Sequence, residues 1–374
     1  MSGSRIALFL PSLAGGGAER VFVQLANGLA SDTTNVDLVL AEKAGPYLGE
    51  IDPQVRVIDL GCRSVSRALP HLVSYLRKER PGALLSALDH ANVVAVLASR
   101  IARCGVRCVI AIRSVPSIAY RHAPSARSRR LLQIAKLIYP FADAIVANSG
   151  GVADDASAFY RIPRGDMEVI YNPIDCDEIR RLARAEVSHP WLEADPTPLV
   201  LGAGRLDVLK DFPTLIHAFA LASAQRECRL AILGEGGERA QLERLVARLG
   251  LQGRVLLPGF VTNPFAWMGR ARVFVSASLS EGCPNVLLQA LACGTAVVST
   301  DSPGGAAEIL EGGKWGSLVP VGDAGKMSDA IVSALLGPPR TDTAIRAGEF
   351  SLDQITARFR DVLNPGHSPD GVNR

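Results

Sequence analysis

Short β-branched runs alternate with amphipathic helical patterns from one end of this chain to the other, and that alternation constrains the fold more than any single motif. Where a helix returns the chain between two strands of one sheet, those strands run parallel, and helices cover both faces. Predicted strands in the first half are Arg5–Leu10, Asn35–Leu40, Val55–Asp59, Ala83–Ala87, Cys108–Ile112, Ala144–Ala147 and Glu168–Ile170. Helical patterns at Gly17–Leu29, Val65–Arg77, Ala91–Ala102 and Arg127–Phe141 separate them. The turn-forming segment Tyr171-Asn172-Pro173-Ile174-Asp175 then interrupts the pattern and reads as a hinge. A second series follows, with strands at Leu199–Gly202, Arg229–Leu233, Arg254–Leu256, Val273–Ser276, Ala296–Ser299 and Ser317–Val319. The fold class is therefore α/β, with two successive doubly wound, Rossmann-like domains and a ligand cleft beyond the strand carboxyl ends.

Length agrees, since 374 residues leave room for about two domains. Expected bounds are 1–172 for the first domain and 173–349 for the second, with residues 366–374 a polar, disordered tail. Hydrophobic residues make up 48% and charged residues 21%, which excludes wholesale disorder. Residues 1–175 carry 20 Lys and Arg against 15 Asp and Glu, whereas the remainder carries 20 against 22. A mildly basic first half suits phosphates or an anionic lipid surface. Nucleic acid is disfavoured, because 5% aromatic content supplies few stacking platforms.

Seven scattered cysteines form no metal-binding spacing and read as reduced thiols, so the expected location is cytoplasmic. The N-terminal IALFLPSLAGGGA is too short and too soon helical for a signal peptide. No apolar stretch reaches the roughly 20 residues that cross a bilayer.

The motifs gather at strand ends. Gly15-Gly16-Gly17 opens the first helix and allows an anion close to the backbone. A dinucleotide site would show G-x-G-x-x-G here and a carboxylate ending the second strand; neither is present. The second domain opens with GAGRLDVLKDF, where Arg205 and Lys210 are candidate grips for a diphosphate. Gly234 lies in one loop after a strand, and Gly259, Phe260 and Val261 lie in the next, which either holds a base or is a simple turn. In Ser280–Gly294, Glu281 precedes a helix start at which the backbone N–H groups of Gly282, Cys283 and Asn285 face an anion, and Gln289 follows two turns down the same face. In the first half, His90 and Arg113 end strands, while Asp89 and Asn92 read as helix caps.

In that order, GGGAER, NSGGV, VIYNPID, GAGRLDVLKDF, LGEG, LPGF and SEGCPNVLLQALACG resemble the family 4 retaining glycosyltransferases of the GT-B fold, from about residue 5 to 364. The resemblance implies two Rossmann-like domains facing a central cleft, the first for the acceptor and the second for a nucleotide-diphosphate-sugar donor. It also implies a final helix, about 350–364, that crosses back onto the first domain. Glu281 matches the first member of the family's Glu-x7-Glu pair and would meet sugar hydroxyls. Gln289 replaces the second, and Arg113-Ser114 stands where many relatives carry a His.

These readings combine into a retaining transferase. It would move a hexose or N-acetylhexosamine, from a UDP-sugar, to a bacterial surface glycan or its lipid carrier. Glu281, Arg205, Lys210, Arg113 and His90 are the catalytic candidates. Gly16, Gly17, Gly204, Arg205, Lys210, Gly234, Gly259, Phe260, Val261, Glu281, Gly282, Cys283, Pro284, Asn285 and Gln289 are the donor contacts. Neither a metal nor a cofactor is expected, since cations already serve the diphosphate. A UDP-sugar epimerase, a phosphorylase or a non-catalytic scaffold on this architecture would reuse the same donor site. In Arg127–Tyr139, Leu131, Ile134, Ala135 and Ile138 form an apolar stripe among basic residues. It either packs inward or lies on anionic lipid at the inner face of the membrane.

Overall fold

A computed structural model describes residues 4–31, 34–123, 125–187, 189–193, 197–338 and 342–364. The expected tail at 366–374 lies outside these. Contacts divide the chain into unit 1, Met1–Pro173 with the segment from Leu352, and unit 2, Ile174–Ser351. Each is a parallel sheet between helices, the Rossmann-like arrangement.

Unit 1 contains β1 (Ser4–Leu10), β2 (Thr34–Leu40), β3 (Arg56–Asp59), β4 (Ala83–Ala87), β5 (Arg107–Ile112), β6 (Ala144–Ala147) and β7 (Met167–Val169), in the order β3-β2-β1-β4-β5-β6-β7. β1 lies centrally, its Leu8 opposite Leu38 on one side and Leu85 on the other. Alternate side chains feed two cores. One holds Phe9, Leu84 and Ile110; the other holds Leu8, Leu38 and Val109. The second core also takes Ile355, Phe359, Val362 and Leu363 from the last helix, Leu352–Leu363. Burying each such side chain stabilises by about 1.5–3 kcal/mol. That helix approaches closely at Gly28, where a Cβ would fall 2.7 Å from Thr356 Oγ1.

Unit 2 contains β8 (Leu199–Ala203), β9 (Arg229–Leu233), β10 (Val255–Gly259), β11 (Val273–Ser276), β12 (Ala296–Thr300) and β13 (Ser317–Val319), in the order β10-β9-β8-β11-β12-β13. One core of this unit gathers Val200, Ile232, Val275 and Val298 with Leu215 and Phe219 of the helix Phe212–Gln225.

Two local expectations are corrected. Asp89 and Asn92 cap nothing: the helix Asp89–Ala102 has Leu88 at its N-cap without a side-chain bond, and both polar side chains turn into a buried network instead. Leu257–Gly259 belongs to β10 rather than to a loop. The seven cysteines form no disulfide. Among the described residues, no helix is long and apolar enough to cross a membrane.

Candidate active site

Unit 2 changes direction between neighbouring strands β8 and β11, since β8 leads to β9 on one side while β11 leads to β12 on the other. Doubly wound sheets bind ligands outside the carboxyl ends of the strands at such a switch point. Residues 204–211 leave β8, and residues 277–284 leave β11, so the crevice they flank is the primary candidate.

Backbone bonds stitch these loops to their neighbours. Gly204 N–H donates to Leu233 O at 3.0 Å, Leu206 N–H to Glu235 O at 2.9 Å, and Gly234 N–H to Gly259 O at 2.8 Å. Leu279 N–H donates to Leu209 O at 2.8 Å, which ties the β11 loop to the β8 loop. Two glycines make the approach feasible. Gly234 has φ +131°, and a Cβ there would sit 2.0 Å from Gly204 O; Gly304 has φ +120°, and a Cβ there would sit 1.6 Å from Glu281 O.

Lys210 and Glu281 meet on this frame. Lys210 Nζ donates to Glu281 Oε1 as an ion pair, with side chains 22% and 16% exposed. Lys210 closes a short turn, Val208–Lys210, whose N-cap carboxylate Asp207 accepts from Leu209 N–H at 3.1 Å and Lys210 N–H at 3.3 Å. Ser278 Oγ donates to Glu281 Oε1 at 2.9 Å, and Thr300 Oγ1 donates to Ser278 O at 2.6 Å. Glu281 N–H donates to Pro303 O at 3.2 Å. A cation and a carboxylate are thus fixed side by side, at the strand end that precedes the helix Asn285–Ala292. The cation suits a phosphate, and the carboxylate suits hydroxyl donors.

The other candidates fall into three groups. Gly282, Cys283 and Pro284 are buried before that helix, while Asn285 and Gln289 are part-buried on it. Arg205 follows Gly204 but is exposed, and among the described contacts no ion pair joins it to Lys210–Glu281. Gly259 is buried at the end of β10; Phe260 is 79% exposed and Val261 part-buried. Gly16, Gly17, His90 and Arg113 belong to unit 1. Gly16 is the N-cap of Gly17–Leu29, and the Glu19 side chain folds back over it. Arg113 is part-buried after β5, its carbonyl accepting from Asn148 Nδ2 at 3.2 Å. His90 stands exposed at the surface, and the partial desolvation of its ring lowers its pKa, against the opposing pull of Asp89 and Glu19.

Ser278, Thr300 and Pro303 escaped the sequence reading. Their contribution is contact with Glu281 or with one another's backbone.

An α/β enzyme of two Rossmann-like units, one with a cation–carboxylate pair at its switch point, is the class these features define. Comparison with known proteins narrows it. Residues 15–178 match the family described as Glycosyltransferase Family 4, and residues 197–336 match Glycosyl transferases group 1. An N-acetylgalactosamine-N,N'-diacetylbacillosaminyl-diphospho-undecaprenol 4-alpha-N-acetylgalactosaminyltransferase of Campylobacter jejuni is 32% identical, over 88% of this chain and 90% of its own. The lipopolysaccharide core biosynthesis glycosyltransferase LpsE of Rhizobium meliloti is 29% identical, over 93% of this chain and 96% of its own. In fold, the chain is similar to Anabaena HepE solved in complex with UDP, with TM-score 0.77, 23% identity, and coverage of 97% and 100%. The chain belongs to glycosyltransferase family 4, and it is a glycosyltransferase of the GT-B fold.

Proposed function

We propose that this enzyme transfers a hexose or N-acetylhexosamine, with retention, from a UDP-sugar to a bacterial surface glycan or lipid-linked oligosaccharide. The observation that carries the reading is the Lys210–Glu281 pair at the switch point of unit 2. The names of the two relatives support the acceptor class, and the UDP bound to HepE supports the nucleotide.

Unit 2 holds the donor. Lys210, helped by Arg205 and the helix start at Gly282–Asn285, takes the negative charge that grows on the leaving diphosphate. Glu281 orients the sugar through its hydroxyls, Gln289 meets the ribose, and Gly259, Phe260 and Val261 meet the base. Unit 1 holds the acceptor, with His90 and Arg113 toward it. The bond from the anomeric carbon to the diphosphate oxygen breaks. The acceptor oxygen bonds that carbon on the same face, and its proton passes to the departing diphosphate. Lys210 and Arg205 supply the charge a divalent ion would otherwise bring, so turnover is independent of metal. The basic unit 1 brings the enzyme to the inner membrane surface, where a lipid-linked acceptor resides.

The test is transfer from a panel of UDP-sugars to a lipid-diphosphate-linked saccharide, with the product anomer assigned by NMR. A product with the donor's anomeric configuration supports the reading; inversion, or conversion of the UDP-sugar without acceptor, overturns it.

A further inference from the structure

Unit 1 has a switch point of its own, between β1 and β4, which lead in opposite directions along the sheet. The loops that flank it are the glycine turn before Gly17 and the turn at Leu88. His90 lies in the first turn of the helix Asp89–Ala102. With Ser64, Ser66, Arg127 and Arg130 it lines a cavity of about 500 Å³ whose walls are otherwise mainly apolar.

The turn that presents His90 is strained and pinned. Leu88 has φ +73° and ψ 132°, a backbone state costing a bulky residue about 1–3 kcal/mol unless its surroundings enforce it. Asp89 supplies one anchor: its Oδ1 accepts from the Tyr139 hydroxyl at 2.9 Å and from the Tyr160 hydroxyl at 3.4 Å. Both tyrosines are buried, their ring centroids 4.8 Å apart. Asn92 supplies the other, accepting from Ser86 Oγ at 2.6 Å and donating to Ala111 O at 3.0 Å. Among the described residues Asp89 forms no ion pair with a Lys or Arg, and burial is the main influence raising its pKa. A carboxyl that holds two buried tyrosines from distant segments fixes more than a helix start.

We infer that Asp89 is a positioning residue, which locks the Leu88 turn so that His90 is held toward an acceptor hydroxyl at the switch point of unit 1. The inference rests on the proposed transfer to an acceptor held by unit 1.

Two readouts on the full chain test it: the His90 ring resonances followed by NMR through a pH titration, and steady-state transfer. The charged groups facing His90 are Asp89 on its own helix, Glu19 on the helix Gly17–Leu29, and Arg127 and Arg130 across the cavity. Asp89→Ala should shift the His90 resonances and slow transfer at saturating acceptor at least tenfold, with UDP affinity within twofold of the parent. Asp89→Asn keeps an acceptor oxygen toward both tyrosines and should stay within about threefold of the parent. Should Asp89→Ala not fold, Tyr160→Phe removes the longer of the two bonds and should give a smaller shift and slowing of the same kind. Unmoved His90 resonances in the folded variant overturn the inference, and so does a moved ring with unchanged transfer. If the parent enzyme itself transfers nothing to any acceptor, the functional reading has failed, and the NMR comparison still decides whether Asp89 positions His90.

Discussion

Lys210 and Glu281 compensate one another's charge before any donor arrives, and each is held by a further bond from its own loop. In the proposed reaction the ammonium turns to the diphosphate and the carboxylate to the sugar. Lys210→Ala therefore removes a charge-assisted contact worth about 1.5–3 kcal/mol, roughly a 10- to 150-fold loss in kcat/KM. It also leaves Glu281 without its cation in a part-buried place. Steady-state rates on a variant whose folding is verified by circular dichroism check this, and unchanged turnover removes Lys210 from the site. Gln289 offers a finer probe. An amide oxygen accepts from ribose hydroxyls as a carboxylate does, with less strength. Gln289→Ala should weaken UDP binding by about 1–2 kcal/mol and Gln289→Glu should be tolerated, as read by calorimetric titration. Equal affinities in all three proteins would place Gln289 outside the nucleotide site.

At the scale of elements, legibility followed how local the deciding interaction is. Strands such as Ala83–Ala87 and Val273–Ser276 announce themselves by buried β-favouring runs between turns, and their ends were read to the residue. The sequence pattern ends β10 at Leu256, because Pro258 and Gly259 resemble a loop; β10 is an edge strand, where a missing N–H can face away from the ladder. Asp89 resembles a cap by position alone, since its partners lie 50 and 71 residues away, beyond the reach of any capping rule. The Lys210–Glu281 meeting also spans 71 residues; its members were legible through motifs, but their pairing was not. The helix Ala126–Ile138 divides its apolar residues between two faces. Leu132 and Ala135 are buried and Leu131 and Ile138 part-buried, so the stripe largely packs inward. Ile134 and Leu137 instead stand 47% and 72% exposed, in line with the exposed Arg127 and Arg130 one and two turns earlier. That exposed face, whose Arg127, Arg130 and Ile134 also border the cavity beside His90, should bind vesicles containing anionic lipid at low salt, and binding should weaken as salt screens it. Flotation should be reduced by Arg127→Glu with Arg130→Glu; equal recovery with neutral vesicles and with the double variant would mean that this helix has no membrane role.

Over the whole molecule, the chain leaves unit 1 at Pro173, builds all of unit 2, and returns to unit 1 through the helix Leu352–Leu363. Arg107 and Arg360 fasten that return, donating to Val362 O at 2.8 Å and Gly28 O at 2.7 Å. Each unit has its own core, so a ligand held by unit 2 stabilises that unit directly by mass action. At a hundredfold excess over Kd the gain is about 2.7 kcal/mol. Scanning calorimetry should show UDP raising the transition that belongs to unit 2 more than that of unit 1, and a single shared transition would rise as one. Lys210→Ala should reduce the shift at fixed UDP. In the proposed reaction Lys210 and Arg205 supply the charge that faces the diphosphate, so a chelator should change neither the shift nor turnover. If UDP moves no transition, or moves one only when a divalent ion is added, the metal-independent donor site assigned to unit 2 is wrong.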